Sequence, residues 1–274
     1  TVDAAGLTFK DTTNALKKND SITLVNNATG VTTTVANGTG KTIGINYTDD
    51  QKIAFAATAT GNVTSAGGAV KYTVDSVAVS DIDVSKWNGV IDWDKAKNAG
   101  VQFAIVRAGY RGSVTGSLVQ DICFEANMRG AAAAGVPVGI YFFTQATNEV
   151  EAVEEASAVL EWIKEYEITY PVFIDTEGAG GNGRADGLDV DTRTLVCDAF
   201  CRTIRGGGYQ AGVYASRNWY DHNLQTRRLE DYYIWLAEYR SVPLYQGYYR
   251  MWQYSSKGHV DGIEGNVDMN IMYE

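Results

Sequence analysis

Pro171-Val172-Phe173-Ile174-Asp175-Thr176-Glu177 is an apolar, β-prone run that ends on two carboxylates. A short unbroken apolar run of this kind predicts a strand covered on both faces, as in a parallel sheet. Side chains two apart on a strand point the same way, so Asp175 and Glu177 share a face with alpha carbons about 6 to 7 Å apart. Like charges at that spacing do not ionise independently. One is pushed toward its protonated form near neutral pH, which is the division of labour that acid-assisted cleavage of a glycosidic bond requires. An isolated Asp-x-Glu is most often a solvated strand end or an ion pair, so its meaning depends on the rest of the chain.

Outward from this run, apolar segments alternate with helical periods. Strands are predicted at Val77 to Val84, Phe103 to Ala108, Val136 to Phe143, Val172 to Asp175, Ala211 to Tyr214, Tyr233 to Ala237, Met251 to Tyr254 and Asn266 to Ile271. Helices are predicted at Trp93 to Ala99, Asp121 to Ala134, Glu149 to Tyr166 and Asp191 to Arg205, the last stopped by Gly206-Gly207-Gly208. Strand, helix, strand in repetition implies parallel pairing with right-handed crossovers, and eight strands suggest closure. The later connections are short, so the fold class expected for residues 79–274 is α/β, an irregular (β/α) TIM-like barrel with an incomplete helix ring; a doubly wound open sheet is the alternative.

Residues 1–78 have a different texture. Residues 1–80 contain 16 Thr and no Arg, Glu, Trp or Cys, and six Lys balance six Asp, so the whole net charge of -10 lies downstream, together with all six Trp. Short Thr- and Val-rich strands divided by Gly and Asn turns predict a small all-β domain, an immunoglobulin-like sandwich. With no Trp and two Tyr it lacks an aromatic platform for sugars, and it reads as a spacer or wall-associated domain.

In such barrels chemistry sits at the carboxyl ends of the strands. That rule places Asp83 at the end of the first strand and Asp175 and Glu177 at the end of the fourth, with Asp268 in the last strand, which neighbours the first on closure. Four carboxylates from distant sequence then face one mouth. Trp87, Tyr110, Tyr141, Trp235, Tyr239, Trp252 and Tyr254 fall at the same ends; singly each is core or rim packing, together they suit the floor of a sugar cleft.

Asp81-Ile82-Asp83-Val84-Ser85-Lys86-Trp87-Asn88-Gly89 resembles the opening Gly-Ile-Asp-Val-Ser-x-Trp-Gln-Gly motif of glycoside hydrolase family 25, the Chalaropsis-type lysozymes. Segments 105–112, 139–143, 173–177, 252–254 and 267–270 resemble its later strand motifs, in order, so the resemblance covers residues 79–274 and not the first 78. It implies hydrolysis of the β-1,4 bond between N-acetylmuramic acid and N-acetylglucosamine in peptidoglycan, with no metal and no cofactor. It also implies Glu177 as general acid, Asp175 as the group that orients the acetamido substituent or stabilises positive charge, and Asp83 and Asp268 as the remaining acids. Tyr141, Trp87, Arg107, Tyr110, Trp235, Tyr239, Trp252 and Gln253 are the substrate-binding candidates. Asp81 stands where the family usually has Gly, and Phe142 where a polar residue is common. Residues 178–189 read as a flexible acidic stretch suited to a lid or subsite wall.

Other classes have little support. An acidic surface without a Lys or Arg run argues against nucleic acid and anionic membranes, and no apolar stretch approaches the about 20 residues of a spanning helix. Gly178 to Gly183 matches Gly-x-Gly-x-x-Gly, but no helix opens at those glycines and two carboxylates precede them. Cys123, Cys197 and Cys201 lie away from His222 and His259, and the helical pair reads as buried free thiols. The chain is expected to be a monomer acting on peptidoglycan glycan strands, secreted or cell-wall associated, with any leader removed. The competing expectation is a catalytically silent glycan-binding adhesin on the same barrel.

Overall fold

The computed structural model describes residues 81–240 and 243–273 and, before them, the backbone of seven short strands: β1 (Leu7–Phe9), β2 (Ser21–Asn26), β3 (Thr32–Ala36), β4 (Ile43–Ile45), β5 (Ile53–Ala57), β6 (Asn62–Thr64) and β7 (Lys71–Thr73). These pair antiparallel as β1 with β4, β3-β2-β5, and β6 with β7. The packing of these sheets into a sandwich, expected above, lies outside the described residues.

From Asp81 the chain builds a closed barrel. Its strands are β8 (Asp81–Val84), β9 (Ala104–Arg111), β11 (Val138–Phe143), β12 (Val172–Asp175), β13 (Ala211–Ser216), β14 (Tyr233–Ala237), β15 (Met251–Gly258) and β16 (Val267–Met272), with a short β10 (Leu118–Gln120) turned back along β9. β8, β9 and β11 to β15 run parallel, and β16 runs antiparallel to both β15 and β8 and closes the ring. The eight strands follow the predicted set within a few residues. The reversal of β16 was not anticipated, and its cause is length: only the segment from His259 to Asn266 separates it from β15, too short for the dozen or more residues a parallel crossover needs.

Helices α1 (Trp93–Asn98), α2 (Phe124–Ala133), α3 (Glu149–Ile163) and α4 (Val190–Gly206) follow β8, β10, β11 and β12, and a single turn and a half, α5 (Arg217–His222), follows β13. Among the described residues no helix intervenes after β14, so the outer ring is incomplete as predicted. Local chemistry sets the helix ends. The carboxylates of Asp92 and Asp189 accept from the backbone N–H of Lys95 and Thr192, and Asn148 Oδ1 accepts from Glu151, each the third residue into its helix. α4 stops at Gly207, and Gly208, with φ of 90°, takes a left-handed turn that side chains disfavour.

Strand alternation divides the barrel into two layers. Ile82, Val84, Ile140, Phe142, Ile174 and Val213 are buried in the outer layer, where Phe142 packs on Trp162 of α3 and Phe200 of α4. The apolar residue at position 142 therefore serves the helix interface rather than the mouth. Phe103, Ile105, Phe173, Tyr214, Trp235 and Met251 fill the interior. Gly212 makes room for this filling: a Cβ there would lie 2.4 Å from the Phe173 ring.

Candidate active site

The strand ends gather a cavity of about 360 Å³. Asp175 is the last residue of β12 and Glu177 lies two beyond it; Asp83 sits near the end of β8, and Asp268 is the second residue of the reversed β16, directly opposite Asp83. All four line the cavity, with Trp87, Arg107, Tyr141, Trp235, Tyr239 and Gln253. Trp235 is buried at its floor, whereas Trp87 and Tyr239 are 79% and 55% exposed and form its rim.

Two of the predicted substrate contacts are placed elsewhere. Trp252 follows the period-2 alternation: Met251 and Gln253 face inward, so Trp252 faces outward and donates its Nε1–H to the Glu238 carbonyl at 2.8 Å. Tyr110 lies past a register shift in the β9–β11 pairing, where Tyr141 aligns with Arg107 but Phe142 with Gly109; it lines a separate hollow beside the mouth. Residues 178–189 are pinned rather than loose. The Asp186 carboxylate accepts from Ala179 N at 2.8 Å and Gly183 N at 3.0 Å, and Arg184 bonds Glu151 at 2.6 Å. The first of the α4 residues, Val190, comes well after Gly183, so the glycines open no helix.

A hydrogen-bond relay fixes Asp83. Its Oδ2 accepts from Gln253 Nε2 at 2.7 Å and from Asn270 Nδ2 at 2.9 Å. Gln253 Oε1 in turn accepts from the hydroxyls of Tyr214 at 2.9 Å and Tyr239 at 2.8 Å, and Asn270 Oδ1 accepts from Trp235 Nε1 at 2.8 Å. Tyr214 and Asn270 were not among the predicted site residues. The parallel register contained the signal for Tyr214, which pairs with Asp175 in the neighbouring strand. Arg107 lines the cavity with its guanidinium held by Asp121 at 2.6 Å.

Proton affinity is raised throughout the set. Burial first, then the charges of Glu177 and Asp83, lift Asp175 well above the carboxylate range, and its Oδ1 has no hydrogen-bond partner among the described residues. Asp83 is raised by burial and by Asp268 against the pull of its two amide donors. Asp268 rises to about 6 through burial. Glu177 is the exposed member, yet lost hydration among the walls of the mouth, then the charge of Asp268, raise it too. Burial and the field of Asp83 push the Tyr141 hydroxyl well above its ordinary value. Such a site holds at least one proton near neutrality beside carboxylates that lack one.

Comparison with known proteins agrees with this chemistry. A family model for glycosyl hydrolases family 25 matches residues 82–263. "Lysozyme M1" of Streptomyces globisporus is 28% identical over 206 residues, which are 72% of this chain and 68% of that protein. The "Autolytic lysozyme" of Clostridium acetobutylicum is 27% identical over 194 residues, 70% of this chain and 55% of its own. The modular autolysin LytC of Streptococcus pneumoniae, solved with a synthetic peptidoglycan ligand, superposes with a TM-score of 0.65 at 28% identity over 81% of this chain and 54% of LytC, so the chain spans about half of that protein's length. A bacterial lysozyme from Streptomyces coelicolor shares the fold, with a TM-score of 0.58 at 24% identity over 73% of this chain and 94% of its own. With a family model spanning well over half its residues and an acidic mouth at the carboxyl ends of its parallel strands, this chain belongs to the glycosyl hydrolases family 25.

Proposed function

We propose that this chain is a peptidoglycan hydrolase that cuts the β-1,4 bond between N-acetylmuramic acid and N-acetylglucosamine. The observation that carries the reading is the convergence of Asp83, Asp175, Glu177 and Asp268 on one cavity in which burial and mutual repulsion raise proton affinity. Glu177, exposed at the mouth and with its proton affinity raised by burial and by Asp268, is the general acid that gives its proton to the leaving glycosidic oxygen. Asp175, with an unpartnered buried oxygen, accepts from the N–H of the 2-acetamido group and stabilises positive charge as the bond to the leaving group lengthens. The relay through Gln253 and Asn270 fixes Asp83 as an acceptor beside the reacting sugar, and Trp87 and Tyr239 supply rim faces for its apolar side. The protein acts as a monomer, secreted or associated with the wall that holds its substrate.

The test is mass spectrometry of the fragments released from purified peptidoglycan by the protein and by its Glu177→Gln variant. Soluble fragments with muramic acid at the reducing end, lost by a factor of about 10² to 10⁴ in the variant, support the reading. Glucosamine reducing ends or cut peptides overturn it, and wall binding without any release favours the adhesin.

A further inference from the structure

Beside the mouth lies a second, open hollow of about 770 Å³ that the reaction does not use. Two shared features divide it from the catalytic cavity. One is the Arg107–Asp121 ion pair, whose arginine lines the mouth and whose aspartate lines the hollow. The other is a stack of groups: the Lys86 ammonium stands 4.8 Å from the centre of the Trp87 ring, on the mouth side, and 5.3 Å from that of Tyr110, on the hollow side. Rings at this range hold a cation without neutralising it. The nearby carboxylates are occupied, Asp121 by Arg107 and Glu125 by Arg129, so Lys86 has no ion-pair partner among the described residues. In a chain with net charge of -10, an uncompensated ammonium held in place is an anion site. Beyond it the hollow has a mixed lining in which Val119 and Ile122, 37% and 86% exposed, offer apolar surface beside the paired Glu125 and Arg129.

We propose that this hollow takes the peptide branch of the same glycan, with Lys86 receiving one of its carboxylates and Val119 and Ile122 contacting its alanine methyls. The proposal rests on the hydrolase reading above. Continuity supports the occupant: a muramic acid in the mouth carries its lactyl-linked peptide on the ring itself, so the peptide must run over an adjoining surface, and the hollow is one that shares walls with the cavity. The chemistry matches as well, since short peptides bearing carboxylates and methyl side chains need an isolated cation followed by apolar surface.

The experiment compares glycan strands that carry their peptides with the same strands stripped of them by an amidase. The unmodified protein is expected to show a KM about tenfold lower on the peptide-bearing strands, and Lys86→Met and Ile122→Asp are each expected to remove most of that advantage while leaving turnover of stripped strands unchanged. Equal KM on both substrates, or an advantage that survives both variants, overturns the proposal while leaving the hydrolase reading intact. If neither substrate is cut, the hydrolase reading fails. Calorimetric binding of a disaccharide-peptide against the bare disaccharide then decides this proposal separately: tighter binding of the peptide form, weakened by Lys86→Met, upholds it, and equal binding rejects it.

Discussion

Asp83 and Asp268 face each other across the seam where the barrel closes, paired residue to residue on its first and last strands. Directly opposed residues of antiparallel strands have alpha carbons about 4.5 to 5.5 Å apart, so the two carboxylates share one field. Burial is the first cause of the raised proton affinity of Asp83 and Glu177, and the charge of Asp268 is the second. The seam thus adds to the proton affinity that burial gives the mouth.

Replacing Asp268 by Asn removes that charge and keeps the shape. Glu177 then releases its proton more readily, and the alkaline limb of the kcat profile moves to lower pH by roughly half to one unit. An alkaline limb that stays in place in Asp268→Asn, with activity retained, contradicts the electrostatic role.

Gln253 links the rim tyrosines to Asp83. In Gln253→Leu the hydroxyls of Tyr214 and Tyr239 lose their acceptor and Asp83 loses a donor. Stability is expected to fall by about 1 to 3 kcal/mol in urea unfolding, and the Asp83 carboxyl to rise further because one of the groups that favours its charged form is gone. Unchanged unfolding would mean the relay is replaced by solvent.

Away from the mouth, Arg111 at the end of β9 donates to Glu155 of α3 at 2.8 Å, and Thr144 donates to the same carboxylate at 2.6 Å. Glu155 is fully buried, and burial raises it to about 7 despite these partners. Arg111→Met strands this group without a cation, and the expected loss is about 3 to 5 kcal/mol, whereas Glu155→Gln costs less because the Arg111 guanidinium keeps Glu154 and the carbonyls of Gly116 and Glu151 as partners. Equal losses in the two variants would count against a buried-charge origin.

The same linkage gives a pH dependence. Asp81 is raised to about 8, Glu155 to about 7 and Asp268 to about 6, mainly by burial, while all three titrate near 4 in the unfolded chain. The folded barrel therefore keeps protons that the unfolded chain releases. This stabilisation is complete below about pH 4 and is lost as pH rises through 6 to 8. The thermal midpoint is expected to be higher at pH 5 than at pH 8 at fixed ionic strength, and Asp81→Asn to narrow the gap. A midpoint that climbs from pH 5 to 8 would refute the assignment.

Most of the barrel was legible in the sequence because its parallel strands are covered on both faces and stand out as apolar runs between capped helices. Sites at strand ends followed from the same map, which is how Asp83, Asp175, Glu177 and Asp268 were named together. What escaped has a physical reason. Trp252 was misplaced because an aromatic at a strand end says nothing of which face it occupies until Met251 and Gln253 are seen to point inward. Tyr110 was displaced by a one-residue register shift, which no apolar pattern reveals. Tyr214 and Asn270 act through hydrogen bonds to other side chains, and such relays depend on cross-strand register rather than on any local motif.

The reversal of β16 ties assembly to competence. Of all the barrel's strands it is synthesised last, and it alone both seals the ring and delivers Asp268 to the mouth. A nascent barrel still lacking this strand has two open edges and an unfinished set of acids. Any chemistry that depends on Asp268 therefore arises only once this last strand is in place.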